Sequence, residues 1–243
     1  ADWKVRRSDW GGMPSYRPNE YGKVLNNDFF GGNLNGITEK LDYLQELGVT
    51  VIYLNPIFEA YSNHRNDTGD YLKIDGQLGT AEDLDRLVTE AKKRGIRIIL
   101  DAVLNHTGAD SRYFNRYGRY DSVGAYQSRQ SPYSEWYHFR TFPDSYESWW
   151  GIEPLPAVNE HSASYQEFVF GENGVLKTWL RHGIGGYRLD VADELPDFFL
   201  QKLRAAVKEE TPDAIVIGEV WEDASNKIAY SERREYLQGY ELD

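Results

Sequence analysis

Four times along this chain a stretch with helical spacing gives way to a short β-favouring run that ends in polar residues. The first such stretch is Ile37, Leu41, Leu44 and Leu47, closed by Gly48, and Val49-Thr50-Val51-Ile52-Tyr53-Leu54 follows it into Asn55-Pro56. Thr80 and Asp83 stand in capping-box spacing before Leu84, Leu87, Val88 and Ala91; Gly95 ends that helix, and Ile96 to Leu104 then runs straight into Asn105 and His106. Ser164 and Glu167 open a third helix through Phe168, Leu176, Trp179 and Leu180, with Gly183 and Gly185 feeding Tyr187 to Val191. Pro196 starts a fourth, carrying Phe199, Leu203 and Val207 as far as Thr211-Pro212, and Ala214 to Val220 is the last run. A final helix is expected over roughly Ser225 to Leu237. This alternation predicts βα units around a parallel sheet whose first strand is buried on both faces.

At 243 residues the chain has the size of one α/β barrel or a comparable large domain. Residues 1–35 lack periodicity and read as an ordered loop, as do residues 57–79. Between Asp110 and Trp150 thirteen of forty-one residues are aromatic, so this stretch reads as a packed irregular subdomain rather than a disordered one. Most of those rings are expected to form its own small core; Trp149 and Trp150 are the candidates for stacking on a flat sugar face. The expected division is barrel over 1–104, insertion over 105–163 and barrel again over 164–243.

Charge and composition narrow the partners. A formal net charge of -12 argues against nucleic acid or an anionic membrane, whose binding begins with a basic patch. No apolar run approaches the roughly 18 residues that cross a bilayer. Cysteine is absent, so neither a disulfide framework nor a thiolate zinc site can form. A chain that opens on Ala1 rather than Met reads as processed or excerpted.

The polar residues share a position. Asn55, Asp101, Asn105, Arg188, Asp190 and Glu219 all fall at or just beyond the C-terminal end of an expected strand, the face where α/β barrels and open α/β sheets bind ligands. Arg188 and Asp190, two apart on one strand, point to the same side, and an arginine there lowers the carboxylate's pKa and keeps it ionised. Seen alone, the pair could be a structural ion pair at a strand end. Glu219, within Ile217-Gly218-Glu219-Val220-Trp221, has an apolar setting that would raise its pKa. An ionised carboxylate beside a protonated one suits a retaining glycoside hydrolase.

Five motifs then appear in order. Asp101-Ala-Val-Leu-Asn105-His106, Gly186-Tyr-Arg188-Leu-Asp190 and Gly218-Glu219-Val220-Trp221 resemble three sequence signatures of the α-amylase family of glycoside hydrolases. Leu155-Pro156-Ala157-Val158-Asn159 and the strand ending in Asn55-Pro56 resemble two more. The resemblance implies a (β/α)8 TIM barrel with an irregular domain inserted after its third strand. It implies that Asp190 is the nucleophile and Glu219 the general acid/base, that Arg188 orients Asp190, that Asp101 braces Arg188, and that His64 and His106 contact sugar. It also implies a structural calcium ligated by Asn105, whose oxygen suits that ion. Phe29-Phe30-Gly31-Gly32-Asn33-Leu34, Val191-Ala192-Asp193-Glu194 and Trp221 look most like the neopullulanase and amylopullulanase branch, which implies starch, pullulan or maltodextrin as substrate, with Asp193 and Trp221 shaping sugar sites beyond the scissile bond. A secreted or cell-surface location is favoured over a cytoplasmic one.

Three features depart from the family pattern. Asn66 stands where a sugar-stacking tyrosine is usual, and Asn33 where an aspartate calcium ligand is common. A barrel needs eight strands and four are found, so the chain reads as a central portion, inactive in isolation, whose remaining strands come from a parent chain or a partner fragment. Other readings are a non-catalytic carbohydrate-binding homologue, a transglycosylase, and a divalent-metal barrel enzyme using the same carboxylates. Retention of both Asp190 and Glu219 speaks against the first of these, and a cation beside Asp190 against the last.

Overall fold

The computed structural model describes residues 3–243. Near the N-terminus β1 (Val5–Arg6) pairs in parallel with β2 (Asp28–Phe29), so the expected opening loop holds a short ladder. The first expected helix is two six-residue helices, α1 (Leu34–Glu39) and α2 (Leu41–Glu46), which meet at Lys40. Asn33 caps α1 by accepting the Gly36 amide at 2.8 Å. After β3 (Val51–Leu54), the stretch expected to be a loop forms an antiparallel pair, β4 (Phe58–Ala60) with β5 (Thr68–Ile74). Gly69 and Asp70 disguised that strand, since both are depleted in strands; Asp70 is buried there because Arg112 meets it at 2.7 Å.

The capping box of α3 (Ala81–Lys93) forms as expected between Thr80 and Asp83, and β6 (Arg97–Ala102) follows. In the long stretch after β6 the regular elements are a small ladder, β7 (Phe139–Thr141) with β8 (Ser145–Tyr146), and two 3₁₀ turns. Its rings pack mainly on one another: Phe114 lies 4.9 Å from Tyr137 and 4.7 Å from Tyr146, centroid to centroid, and Tyr133 lies 4.8 Å from Trp136.

The third expected helix is α4 (Ala163–Phe170) and α5 (Val175–Arg181), broken at Gly171 and capped by Ser162 rather than Ser164. Next come β9 (Gly186–Leu189), α6 (Asp197–Glu210) and β10 (Ile215–Gly218). The expected last helix is absent. Residues 222–243 instead make turns around β11 (Ile228–Ala229) and β12 (Glu232–Arg233), because Tyr230 and Ser231 between them adopt φ of 53° and 62°, which no α-helix permits.

The four expected strands make one parallel sheet in the order β10-β9-β6-β3, each beside its sequence neighbour. Leu84 and Leu87 of α3, Trp179 of α5 and Phe199 and Leu203 of α6 are buried in one core with Ile98, Leu100, Tyr187, Leu189 and Val216 of the strands. β3 departs from the expected burial on both faces. Leu54 is in the core, but Val51 and Tyr53, on the opposite face, are 38% and 42% exposed, as is Ile217 of β10 at 42%. Helices thus cover one face of the sheet, while the other is open at both edge strands.

One glycine decides whether β9 can lie between its neighbours. Gly186 has φ of 145°, and a Cβ there would stand 2.0 Å from the Ile215 carbonyl oxygen on β10. Gly186→Ala is therefore expected to cost about 3 kcal/mol or more, read as a fall in urea midpoint, whereas Gly76→Ala, whose Cβ would meet nothing within 4 Å, should leave it nearly unchanged.

Candidate active site

Parallel register carries Asp101 and Arg188 to directly paired positions on β6 and β9, with Ile217 of β10 beside Arg188. Asp190 follows β9, and Glu219 follows β10. At the strand ends one guanidinium meets three carboxylates. Arg188 Nη1 donates to Asp101 Oδ2 at 2.7 Å and to Asp190 Oδ1 at 2.9 Å, and Nη2 lies 2.9 Å from Glu219 Oε2. Glu219 Oε2 also accepts the Val191 amide at 2.9 Å. That amide is presented by a backbone in the left-handed region, with φ of 43° at Val191.

This geometry revises both electrostatic expectations. Asp190 was to be held strongly ionised by Arg188; instead its pKa is pushed up to about 6, by burial first and then by the charge of Asp101, with Arg188 only partly opposing them. A single cation divided three ways neutralises each carboxylate incompletely. Glu219 was expected in an apolar setting, yet its carboxylate rests on a guanidinium and a backbone amide. Asp101 is raised by burial, offset by its hydrogen bond from Tyr53 and by Arg188. The Asp101 side chain is wholly inaccessible and meets Arg188 from beneath the strand ends.

The two histidines part company. His64 is exposed, its Nδ1 accepting the Asn66 amide at 3.1 Å. His106 is only 2% exposed, and the protein engages both its nitrogens: Nε2 lies 3.1 Å from the Asn66 carbonyl oxygen and Nδ1 3.2 Å from the Asn105 amide nitrogen. Burial lowers its pKa to about 4, so it is neutral at neutral pH. In this arrangement the Asn66 carbonyl is the partner of His106 Nε2, the atom that the expected sugar contact would use. His64 also lines a cavity of about 300 Å³ with Asp67 and Asp110.

Asp193 is buried and ion-paired with Lys227 at 3.3 Å, its backbone carbonyl accepting from Arg234 at 2.9 Å. Trp221 is 55% exposed, and its ring stands 5.4 Å from Trp150 and 6.3 Å from Trp149, while Trp149 lies 5.7 Å from His106. Three indoles thus lead outward from His106. Trp150 is fixed by a hydrogen bond of 2.6 Å from its indole nitrogen to Glu194.

The expected calcium would meet Asn105 through its side-chain oxygen, since the amide nitrogen is turned to His106. Among the described residues no group of three or more His, Cys, Asp or Glu side chains is gathered to hold a metal. Calcium prefers six to eight oxygens, usually several of them carboxylate. Tyr53 is the site residue that the sequence left unread: it showed only as a β-favouring residue, yet its hydroxyl donates to Asp101. Its place on the same alternating face as Asn55 was the available signal.

Against known proteins, the pattern described as "Alpha amylase, catalytic domain" matches residues 6–240. The chain is 43% identical over 244 residues to the amylopullulanase of Thermoanaerobacterium saccharolyticum, covering 90% of this chain and 19% of that protein. It is 41% identical over 204 residues to neopullulanase 2 of Thermoactinomyces vulgaris, covering 81% and 33%. The solved cyclic α-maltosyl-(1→6)-maltose hydrolase of Arthrobacter globiformis, in complex with that cyclic saccharide, superposes with a TM-score of 0.78 at 33% identity, over 99% of this chain and 52% of that one. The chain therefore spans about a fifth of the first relative and a third of the second.

A raised carboxylate pKa makes a stability statement. Between its ordinary 3.8 and about 6 the folded chain binds a proton at Asp190 that the unfolded chain does not, so this group's contribution to stability falls as pH rises through that interval. At about 1.4 kcal/mol per pH unit the upper scale is about 3 kcal/mol. Asp190→Asn is accordingly expected to raise the thermal midpoint of this chain at pH 7.5, with the gain shrinking at pH 4.5; an equal gain at both pH values would contradict this origin.

Proposed function

Because this chain belongs to the alpha-amylase catalytic-domain family, within its neopullulanase and amylopullulanase branch, we propose that it carries the nucleophile and the acid/base of a retaining, endo-acting hydrolase of α-glucosidic bonds in starch, pullulan or maltodextrins. The observation that carries this reading is the placement of Asp190 and Glu219 on neighbouring nitrogens of one guanidinium, at the ends of adjacent parallel strands. Carboxylates held that closely suit the separation of about 5–5.5 Å used by retaining enzymes, rather than the wider gap that an inverting enzyme keeps for water.

In the first step Asp190 Oδ bonds to the anomeric carbon as the glycosidic C–O bond breaks, and Glu219 gives its proton to the departing oxygen. In the second, water attacks the same carbon, its proton passes to Glu219, and the bond to Asp190 opens. The first step requires a proton on Glu219 while Asp190 is ionised. Arg188 serves both halves by touching both carboxylates. Asp101 keeps Arg188 from collapsing wholly onto either. His64 and the row of Trp149, Trp150 and Trp221 supply polar and flat apolar surfaces for glucosyl units on either side of the scissile bond. No step passes through a metal.

The barrel is proposed to be completed by further strands, from the same polypeptide or a partner fragment, laid beside β3 and β10 where Val51, Tyr53 and Ile217 are exposed. Residues 105–163 would then be the irregular domain inserted after the third barrel strand. The hydrolases named among the relatives, including one solved with a bound cyclic maltosyl-maltose, support an α-linked oligosaccharide as substrate. The open strand ends and two retained carboxylates favour this over a binding-only homologue.

In the protein that carries this chain, Asp190→Asn and Glu219→Gln are each expected to lower release of reducing sugar from pullulan or maltodextrin by at least about 1,000-fold; near-native rates in either variant would overturn the assignment. Since protonated Asp190 cannot attack, kcat/KM of the unsubstituted protein should fall below about pH 6, and a flat rate down to pH 4 would contradict that role.

A further inference from the structure

Resting on the reading just given, we propose that Tyr53 is a positioning residue of this site, whose hydroxyl, acting through Asp101, fixes how the Arg188 guanidinium is divided among Asp101, Asp190 and Glu219. Tyr53 donates to Asp101 Oδ2, the same oxygen that receives Arg188 Nη1 at 2.7 Å. Its ring centroid lies 5.7 Å from the guanidinium carbon, within cation–π reach. Tyr53 therefore touches the anion with its hydroxyl and the cation with its face.

Asp101 has few other resources. Its second oxygen, Oδ1, is buried with no hydrogen-bond partner, so Tyr53 and Arg188 supply all its hydrogen bonds. Tyr53 shares the charge on Oδ2 and so opposes the burial that raises Asp101, and the carboxylate claims part of Nη1. Without the hydroxyl, a buried carboxylate left with one donor is costly and takes up a proton instead. A neutral Asp101 repels Asp190 less and releases Nη1 toward Asp190 Oδ1, which already sits 2.9 Å away.

Other charged or titratable groups facing this cluster are Glu219 beside β10 and Tyr71 of β5, which feels the charge of Asp190. Tyr71 gives its own hydroxyl to the carbonyls of Val103 and His106, so it does not substitute for Tyr53 on a carboxylate. Within this chain Tyr53 is half-exposed, and the atom that sets it apart from phenylalanine is the hydroxyl that meets Asp101.

Tyr53→Phe in the protein that carries this chain tests the proposal through the pH profile. The acid limb of kcat/KM should move to lower pH by about one unit, with kcat at the plateau several-fold lower and KM nearly unchanged. Added to Asp101→Asn, Tyr53→Phe should have no further effect, because the hydroxyl acts only through that carboxylate. An acid limb that stays in place or moves upward, or a full effect in the Asp101→Asn background, overturns the inference. A carbon-13 NMR titration of the aspartate carboxyls in this chain gives the same answer without activity: in Tyr53→Phe, Asp101 should titrate higher and Asp190 lower, and unchanged curves overturn it. Retained hydrolysis in Asp190→Asn would sink the catalytic reading; unchanged Tyr53→Phe curves with hydrolysis lost in Asp190→Asn would sink only this one.

Discussion

Everything at the strand ends turns on one cation serving three anions. Arg188 lies within 2.9 Å of Asp101, Asp190 and Glu219, so one guanidinium charge is shared among three carboxylates. Such an arrangement is poor as a device for stability, since burying uncompensated charge costs folding free energy. It is well suited to chemistry that needs a carboxylate able to leave its counter-ion, attack carbon and return. The incomplete pairing, more than the pairing itself, is what makes this cluster the candidate site.

Backbone geometry makes that sharing possible. β9 lies between β6 and β10 in parallel register, which sets Arg188 directly beside Asp101. Gly186 lets β9 approach β10 more closely than any side chain would allow. Helices α3, α5 and α6 bury the opposite face of these strands, so the polar face is left to the site. The left-handed turn at Val191 aims a backbone amide at Glu219. Fold and chemistry meet in those few residues.

The βα alternation and the place of the polar residues were legible in the sequence because hydrophobic period and strand-end charge are local signals. The α3 capping box at Thr80 and Asp83 was visible for the same reason. What escaped depended on distant partners. β5 carries a buried Asp70 that only Arg112 makes tolerable. The setting of Glu219 looked apolar along the chain but is ionic in space, because Arg188 comes from the neighbouring strand. Asp190 seemed to own its arginine, when Asp101 and Glu219 compete for it. The pairing of His106 Nε2 with Asn66, forty residues away, left no mark in the sequence. The expected last helix failed at Tyr230 and Ser231, whose positive φ values no propensity argument foresaw.

The account stands or falls on which carboxylate bonds to sugar. Turnover of a fluorinated α-glucosyl substrate that stalls after the first step, in the protein that carries this chain, followed by peptide mass spectrometry, addresses this directly. The account predicts a glycosyl adduct on Asp190 and none on Glu219. An adduct on Glu219, or turnover with inverted products and no adduct, would contradict it.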